Sequence, residues 1–291
     1  MPSISAVIPA RNRAHTIKKC LDSILRQTYK LDEIIVCDDA STDDTCTIIE
    51  SYGANVRLVR HEQPQGAQAA RNTAIRAATG DIIAFNDSDD IWIDEKLEKQ
   101  LALMAHFQCG VVHCGALRYS ERESAYSCFG TDLERFSGNA FPKLLCGLGP
   151  MFPALVTTKI CLEKIGLLDE QIPAYQEWDT YLRLSRICKF SYTPLPLFIY
   201  TVGDTDAISH SLERAANGYA MIIEKHKREI LGCGNHVLAN HYNRLYQLYT
   251  QANMPKEAKY AMTLSVCLLR EREREREREV SNNNIDIARK Q

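Results

Sequence analysis

The chain has 291 residues, of which 45% are hydrophobic and 25% charged, with a net charge of −2. That length suits one large α/β domain with an appendage, or two modest domains. The near-neutral balance excludes a global field drawing the protein to nucleic acid or acidic lipid, and no run approaches the roughly 20 apolar residues of a membrane helix.

The start, Met1 to Pro9, has no basic region and no long apolar core, so no signal peptide is read and a cytoplasmic protein is expected. Peripheral docking at the inner face of a membrane stays open. Ile4 to Pro9 reads as a first strand ended by proline. From 16 to 27 the apolar positions Ile17, Leu21, Ile24 and Leu25 have a helical period. Residues 33–37 form a second apolar strand, followed by Asp38 and Asp39. Thr42 or Asp43 is the expected N-cap of the next helix, which stops at Gly53. A third strand covers 56–59, an alanine-rich helix 68–78, and a fourth strand 81–85. Strand and helix alternating in this way predict a mostly parallel, Rossmann-like sheet with helices on both faces.

Beyond Val111 the signals are mixed: strand and loop to 127, a helix over 134–146, a strand over 152–157 and a short helix over 162–165. A longer helix is expected from 177 to 188, and a strand over 194–200. From about Ser211 the pattern turns helical and gives two or three C-terminal helices. Arg270 to Glu279 is a run of five Arg-Glu repeats, in which opposite charges at i,i+3 and like charges at i,i+4 cancel. That run reads as a solvated helical extension or a disordered tail. The 11 cysteines are scattered and show no zinc-ligand spacing, which predicts free thiols in a reducing compartment.

Asp87, Asp89 and Asp90 crowd the end of the fourth strand. Carboxylates so close repel one another unless a cation or solvent relieves them, and an all-oxygen cluster suits Mg²⁺ or Mn²⁺. In open α/β sheets ligands bind beyond the carboxyl ends of the strands. The segments Pro9-Ala10-Arg11-Asn12, Asp38-Asp39 and Asp87-Ser88-Asp89 should therefore converge on one crevice.

These motifs, with Gly66, Ala70-Arg71-Asn72, Ile165 to Glu170 and Gln176 to Leu184, occur in an order that resembles the family 2 glycosyltransferases of GT-A fold. The likeness covers about 3–212. It implies a GT-A domain over 1–212, with a nucleotide-binding half (1–105) and an acceptor half (106–212), then C-terminal helices (213–269) and a charged tail (270–291). It also implies inverting, metal-dependent transfer of a sugar from a nucleotide-diphosphate sugar, expected to be a UDP-sugar, to an acceptor hydroxyl in surface polysaccharide or lipid-linked glycan synthesis. The partners so implied are a nucleotide-sugar donor and a glycan or lipid-linked acceptor, with no nucleic acid.

By the same resemblance Asp87 and Asp89 form a DxD motif that holds Mn²⁺ or Mg²⁺. Asp89 is the direct ligand and Asp87 touches ribose or a metal-bound water; Asp90 either ligates as well or caps the following helix. Asp39 reads the base edge, Asp38 shares its turn, and Pro9, Ala10 and Arg11 wall the base and ribose. Arg71 faces the nucleotide or lies on the helix surface. Relatives carry Glu-Asp where this chain has Gln176-Glu177, so Glu177 takes the base position, with Asp179 the alternative about 200° round the helix. His210 is a further ligand for metal or diphosphate, and Trp178 is core. The departure at Glu177 leaves a second reading open: a sugar-nucleotide-binding protein, impaired in catalysis, within a glycan assembly complex.

Overall fold

The computed structural model describes residues 2–120, 124–129, 136–202 and 211–288, with the side chains of the last helix described as far as Glu271. It divides into two compact bodies, one of residues 1–171 and 176–207, the other of 172–175 and 208–291.

The first body is built on one sheet. Strands β1 (Ile4–Ala10), β2 (Glu33–Asp38), β3 (Arg57–Arg60) and β4 (Ile82–Phe85) run parallel in the order β3-β2-β1-β4. All of β1 is buried, as a strand covered on both faces by helices must be, which is why it reads as a continuous apolar run. Pro9 does not end it. Even-numbered residues of β1 bond toward β2, through Ile4 O and Ala10 O, and Val7 O bonds toward β4. The missing N–H of Pro9 therefore faces the β4 side, where pairing has already stopped at Val7 and Phe85, and no ladder bond is lost. Helix α1 (Ile17–Leu25) buries Ile17, Cys20, Leu21 and Ile24, the expected i, i+3, i+4, i+7 stripe. Helices α2 (Thr45–Glu50) and α3 (Ala67–Ala77) complete the alternation.

The sheet then reverses. Strand β8 (Val156–Thr158) pairs antiparallel with β4 and with β6 (Val111–Ser120). Strand β9 (Phe190–Val202) lies parallel to β6, while β5 (Ile91–Trp92) and β7 (Ala125–Phe129) add on β9 and β6. Helix α4 (Lys96–Phe107) covers β6 and β9. Four expectations shift. The strand expected over 152–157 is a single 3₁₀ turn at Phe152–Ala154 followed by β8, because Pro153 cannot donate to a central ladder. Within 134–146 the described helix is α5 (Phe141–Leu144). The short helix over 162–165 is α6 (Lys159–Lys164), and the longer one is α7 (Gln176–Ser185).

The second body is helical: α8 (Leu212–Lys225), α9 (Lys227–Gly232), α10 (Asn235–Gln251) and α11 (Pro255–Ala288). Tyr219 Oη and His241 Nδ1 bond at 2.7 Å in its core, and Ser265 Oγ donates to Ala239 O at 2.9 Å to bind α11 to α10. The backbone of α11 stays helical through the Arg-Glu repeats. No helix among the described residues is long and apolar enough to cross a membrane.

Candidate active site

The loops after β1 and β2 are laced into one surface. Asn12 N donates to Ser41 Oγ (2.9 Å), Thr42 N to Asn12 Oδ1 (2.8 Å), Arg13 N to Thr45 Oγ1 (2.7 Å) and Ala14 N to Asp43 Oδ2 (3.1 Å). Ser41, Thr42, Asp43 and Thr45 are thus loop-locking residues, a role the sequence reading did not assign. Asp43 does cap locally, accepting from Thr45 N at 3.0 Å, while the N-cap position itself is Asp44. Asn12 and Ala40 sit at φ of 52° and 59°, a left-handed backbone that Asn tolerates and Ala does not favour. Such strain collects where loops are shaped for ligands. Pro9 and Ala10 are buried in β1, and Arg11 is exposed at its end.

Asp38 and Asp39 differ sharply. Asp38 has no exposed surface; its Oδ2 accepts from Ser41 N at 3.0 Å, which makes it a turn former. Asp39 accepts from His61 Nδ1 and Gln65 N on Oδ1 and from Gly66 N on Oδ2, each at 2.8 Å. Burial alone would raise its pKa, but these bonds outweigh it and hold the carboxyl below its ordinary range. Gly66 has φ 97°, which lets the chain turn its N–H onto Asp39 before entering α3. Oδ2, with one bond, keeps a lone pair for a ligand N–H.

The acidic loop after β4 is pinned from below. Asn86 Nδ2 donates to Asp90 O (3.2 Å) and Cys20 Sγ to Asp87 O (3.4 Å). Arg71 pairs with Asp87, donates to Gln68 Oε1 at 2.8 Å and lies over the Phe152 ring with its Cζ 4.4 Å from the centroid. Arg71 is not a surface arginine, since its side chain is 7% exposed. Asp89 is half-exposed, with Arg13 Nε 3.6 Å away. Burial and the neighbouring Asp87 raise its pKa, and Arg13 only partly offsets them.

Asp90 corrects an expectation. It caps no helix, because β5 follows it directly and α4 starts only at Lys96. It is 1% exposed, and the Thr201 backbone N–H beside its carboxylate does not offset that burial. Burial, then Asp87 and Asp89, push its pKa well above the ordinary value. Three acids with two arginines leave excess negative charge in a confined space, which fits a cation. Among the described residues no group of three or more His, Cys, Asp or Glu donors is arranged to hold a metal. A hard divalent ion bound by one or two carboxylates needs substrate phosphates to complete its shell.

Helix α7 brings Glu177 toward this loop. Burial raises the Glu177 pKa; Arg71 pulls it down and Asp87 pushes it up, so all three share one electrostatic neighbourhood. Asp179 stands apart. It has no exposed surface, and Arg183 Nε donates to its Oδ2 at 2.7 Å while Arg183 Nη1 holds Ile165 O and Leu167 O. That ion pair fastens α7 to the preceding loop. Asn72 fastens the same loop from α3, through Leu168 O (2.9 Å) and Leu168 N (3.0 Å). The segments Ala70-Arg71-Asn72 and Ile165 to Glu170 are therefore partners, which their spacing in the sequence does not reveal. Trp178 is fully buried as expected and donates from Nε1 to Leu144 O at 2.8 Å. Trp178→Ala should cost about 3–5 kcal/mol of stability, read as a lower denaturant midpoint. A change under about 1 kcal/mol would deny Trp178 its core role. His210 lies outside the described residues.

A nine-stranded sheet that changes from parallel to antiparallel beside an acidic loop defines a GT-A fold. S. aureus TarS, solved as residues 1–349 with UDP-GlcNAc, matches at a TM-score of 0.66 and 17% identity over 90% of both chains. A mannosyltransferase from Pyrobaculum calidifontis, solved with GDP-Man and Mn²⁺, matches at a TM-score of 0.61 and 20% identity, over 92% of this chain and 74% of that one.

Residues 5–131 match the model of glycosyl transferase family 2. The E. coli protein WfgD, named as a UDP-Glc:alpha-D-GlcNAc-diphosphoundecaprenol beta-1,3-glucosyltransferase, is 45% identical over 102 residues, which are 35% of this chain and 40% of WfgD. An uncharacterised glycosyltransferase of Rickettsia prowazekii is 27% identical over 78% of this chain and 74% of its own length.

Proposed function

We propose that this protein transfers a glycosyl group from a UDP-sugar to a hydroxyl of a lipid-linked glycan, by a metal-dependent displacement with inversion. The observation that carries the reading is Asp90 and Asp89 in excess of their cationic partners, Asp90 being 1% exposed, with Glu177 in the same electrostatic neighbourhood.

Asp39 accepts from the ring N–H of the base, and Pro9, Ala10 and Arg11 flank base and ribose. Asp87, oriented by Arg71, accepts from a ribose hydroxyl. Asp89 and Asp90 would hold Mn²⁺ or Mg²⁺, which when bound supplies Lewis-acid stabilisation to the departing diphosphate. Glu177 takes the proton of the acceptor hydroxyl as it attacks. A single displacement of this kind inverts the anomeric carbon. Asp179, tied to Arg183, is left out of the chemistry. The donor class and acceptor follow the names of the relatives: UDP-Glc and a diphosphoundecaprenol glycan for WfgD, UDP-GlcNAc for TarS. A lipid-linked acceptor places the reaction at a membrane surface, on the cytoplasmic side where nucleotide sugars are the donors.

The test is a hydrolysis and transfer screen over UDP-, GDP- and dTDP-sugars with Mn²⁺, Mg²⁺ or a chelator. Release of UDP from one UDP-sugar, lost with the chelator, is the expected result. Equal release with and without metal would overturn the metal dependence, and no release from any UDP-sugar would overturn the donor class.

A further inference from the structure

We propose that Cys161 and Cys188 are a reversible disulfide site, which clamps α6 to the turn after α7 when the protein meets a peroxide. The site lies within the first body and is independent of the reading of the sugar-transfer chemistry.

The geometry centres on Gly110. Its backbone is fixed on three sides: Gly110 N donates to Lys189 O at 3.1 Å, and Gly110 O accepts from Thr158 N at 3.2 Å and Thr157 Oγ1 at 2.8 Å. A Cβ placed on Gly110 would lie 2.6 Å from Cys188 Cβ, 3.0 Å from Cys188 Sγ and 3.1 Å from Cys161 Sγ. Both sulfurs thus converge on the space that the missing side chain leaves. Cys188 Sγ donates to Leu184 O at 3.2 Å, which fixes its sulfur beside Gly110. Cys161 is 9% exposed and Cys188 is half-exposed, so a small oxidant reaches the pair from the Cys188 side.

The two thiols are chemically unequal. The neighbouring Cys188 and Thr158 side chains and the Lys164 cation lower the Cys161 pKa below the ordinary thiol value, against burial. The neighbouring Cys161, then burial, raise that of Cys188. Elsewhere burial pushes thiols up, to about 12 at Cys37 and about 11 at Cys46 and Cys114. A thiolate at neutral pH is the reactive form.

Cys161 thiolate attacks one oxygen of hydrogen peroxide, breaking the O–O bond; the departing hydroxide takes a proton and leaves as water. Cys161 is then a sulfenic acid. Cys188 loses its proton as its sulfur attacks Cys161 Sγ, and the expelled hydroxide takes that proton. Two thiols and one peroxide give one disulfide and two waters. A dithiol reductant reverses the change by exchange. The closed loop contains Glu177 and the Asp179–Arg183 anchor. Oxidation therefore restrains the segment that holds Glu177.

The test treats the full chain with one equivalent of hydrogen peroxide, alkylates the remaining thiols and maps the peptides by mass. The expected product is a Cys161–Cys188 cross-link that dithiothreitol removes. It persists in Cys109→Ser and is absent from Cys161→Ser and Cys188→Ser. Before oxidation, iodoacetamide at pH 7 should label Cys161 faster than Cys37 by about tenfold or more. Because the map is made on the unmodified chain, a variant that fails to fold does not blunt it. A Cys188–Cys109 cross-link, or alkylation of both Cys161 and Cys188 after peroxide, would overturn the proposal.

Discussion

Glu177→Gln should lower glycosyl transfer by about 10²–10⁴-fold while leaving UDP-sugar affinity unchanged, since the amide keeps the shape and removes only the proton acceptor. The base must be ionised to act. Burial raises the Glu177 pKa above its ordinary value of 4.5, so the wild-type rate should climb with pH through that raised value. In Glu177→Gln that limb should vanish from the pH profile. Stability carries the opposite sign. A carboxyl whose folded pKa is raised contributes stability below its unfolded pKa and loses it as pH rises through the folded one. The glutamine variant should therefore be no less stable than wild type at neutral pH. Thermal melts and kinetics on the same preparations check both. Full activity in the variant would remove Glu177 as the base, and a fall in both rate and stability would mark it as structural.

Asp89→Ala should abolish the Mn²⁺-dependent part of UDP binding, a loss of about 100-fold or more, given that metal charge stabilisation is worth several kcal/mol. The side chain is half-exposed at the rim of the acidic loop, so its removal leaves no buried cavity and the fold should persist. Its pKa is raised by burial and by Asp87, which says the carboxylate is held against repulsion that a cation would relieve. Calorimetric titration of UDP with and without Mn²⁺ reads the effect directly. An unchanged titration would sink the assignment of Asp89 to the metal. Loss of metal-free binding as well would say that Asp89 shapes the nucleotide site through Arg13.

The four βα units were legible because a parallel strand is buried on both faces and therefore reads as an unbroken apolar run, as in β1 and β2. The positions of Asp39 and Asp87 followed, since each terminates such a run. The reversal of the sheet was not legible. Strand β8 is three residues long and is inserted between β4 and β6, from which it is separated by many residues of chain. So short a run has no period to read. Asp90 was misjudged because a strand of two residues, β5, leaves no signature that distinguishes it from the start of a helix.

By itself the sequence determined the secondary-structure alternation, the family resemblance, and which acids stand at strand ends, because each rests on residues a few positions apart. Tertiary structure alone decided their roles. Asp38 and Asp39 are chemically identical neighbours, yet one closes a turn with Ser41 and the other gathers His61, Gln65 and Gly66. Glu177 and Asp179 share a helix turn, yet Glu177 feels the charges of Arg71 and Asp87 while Asp179 is paired with Arg183. Carboxylate function follows from partners and burial, and both are set by packing between segments far apart in the chain.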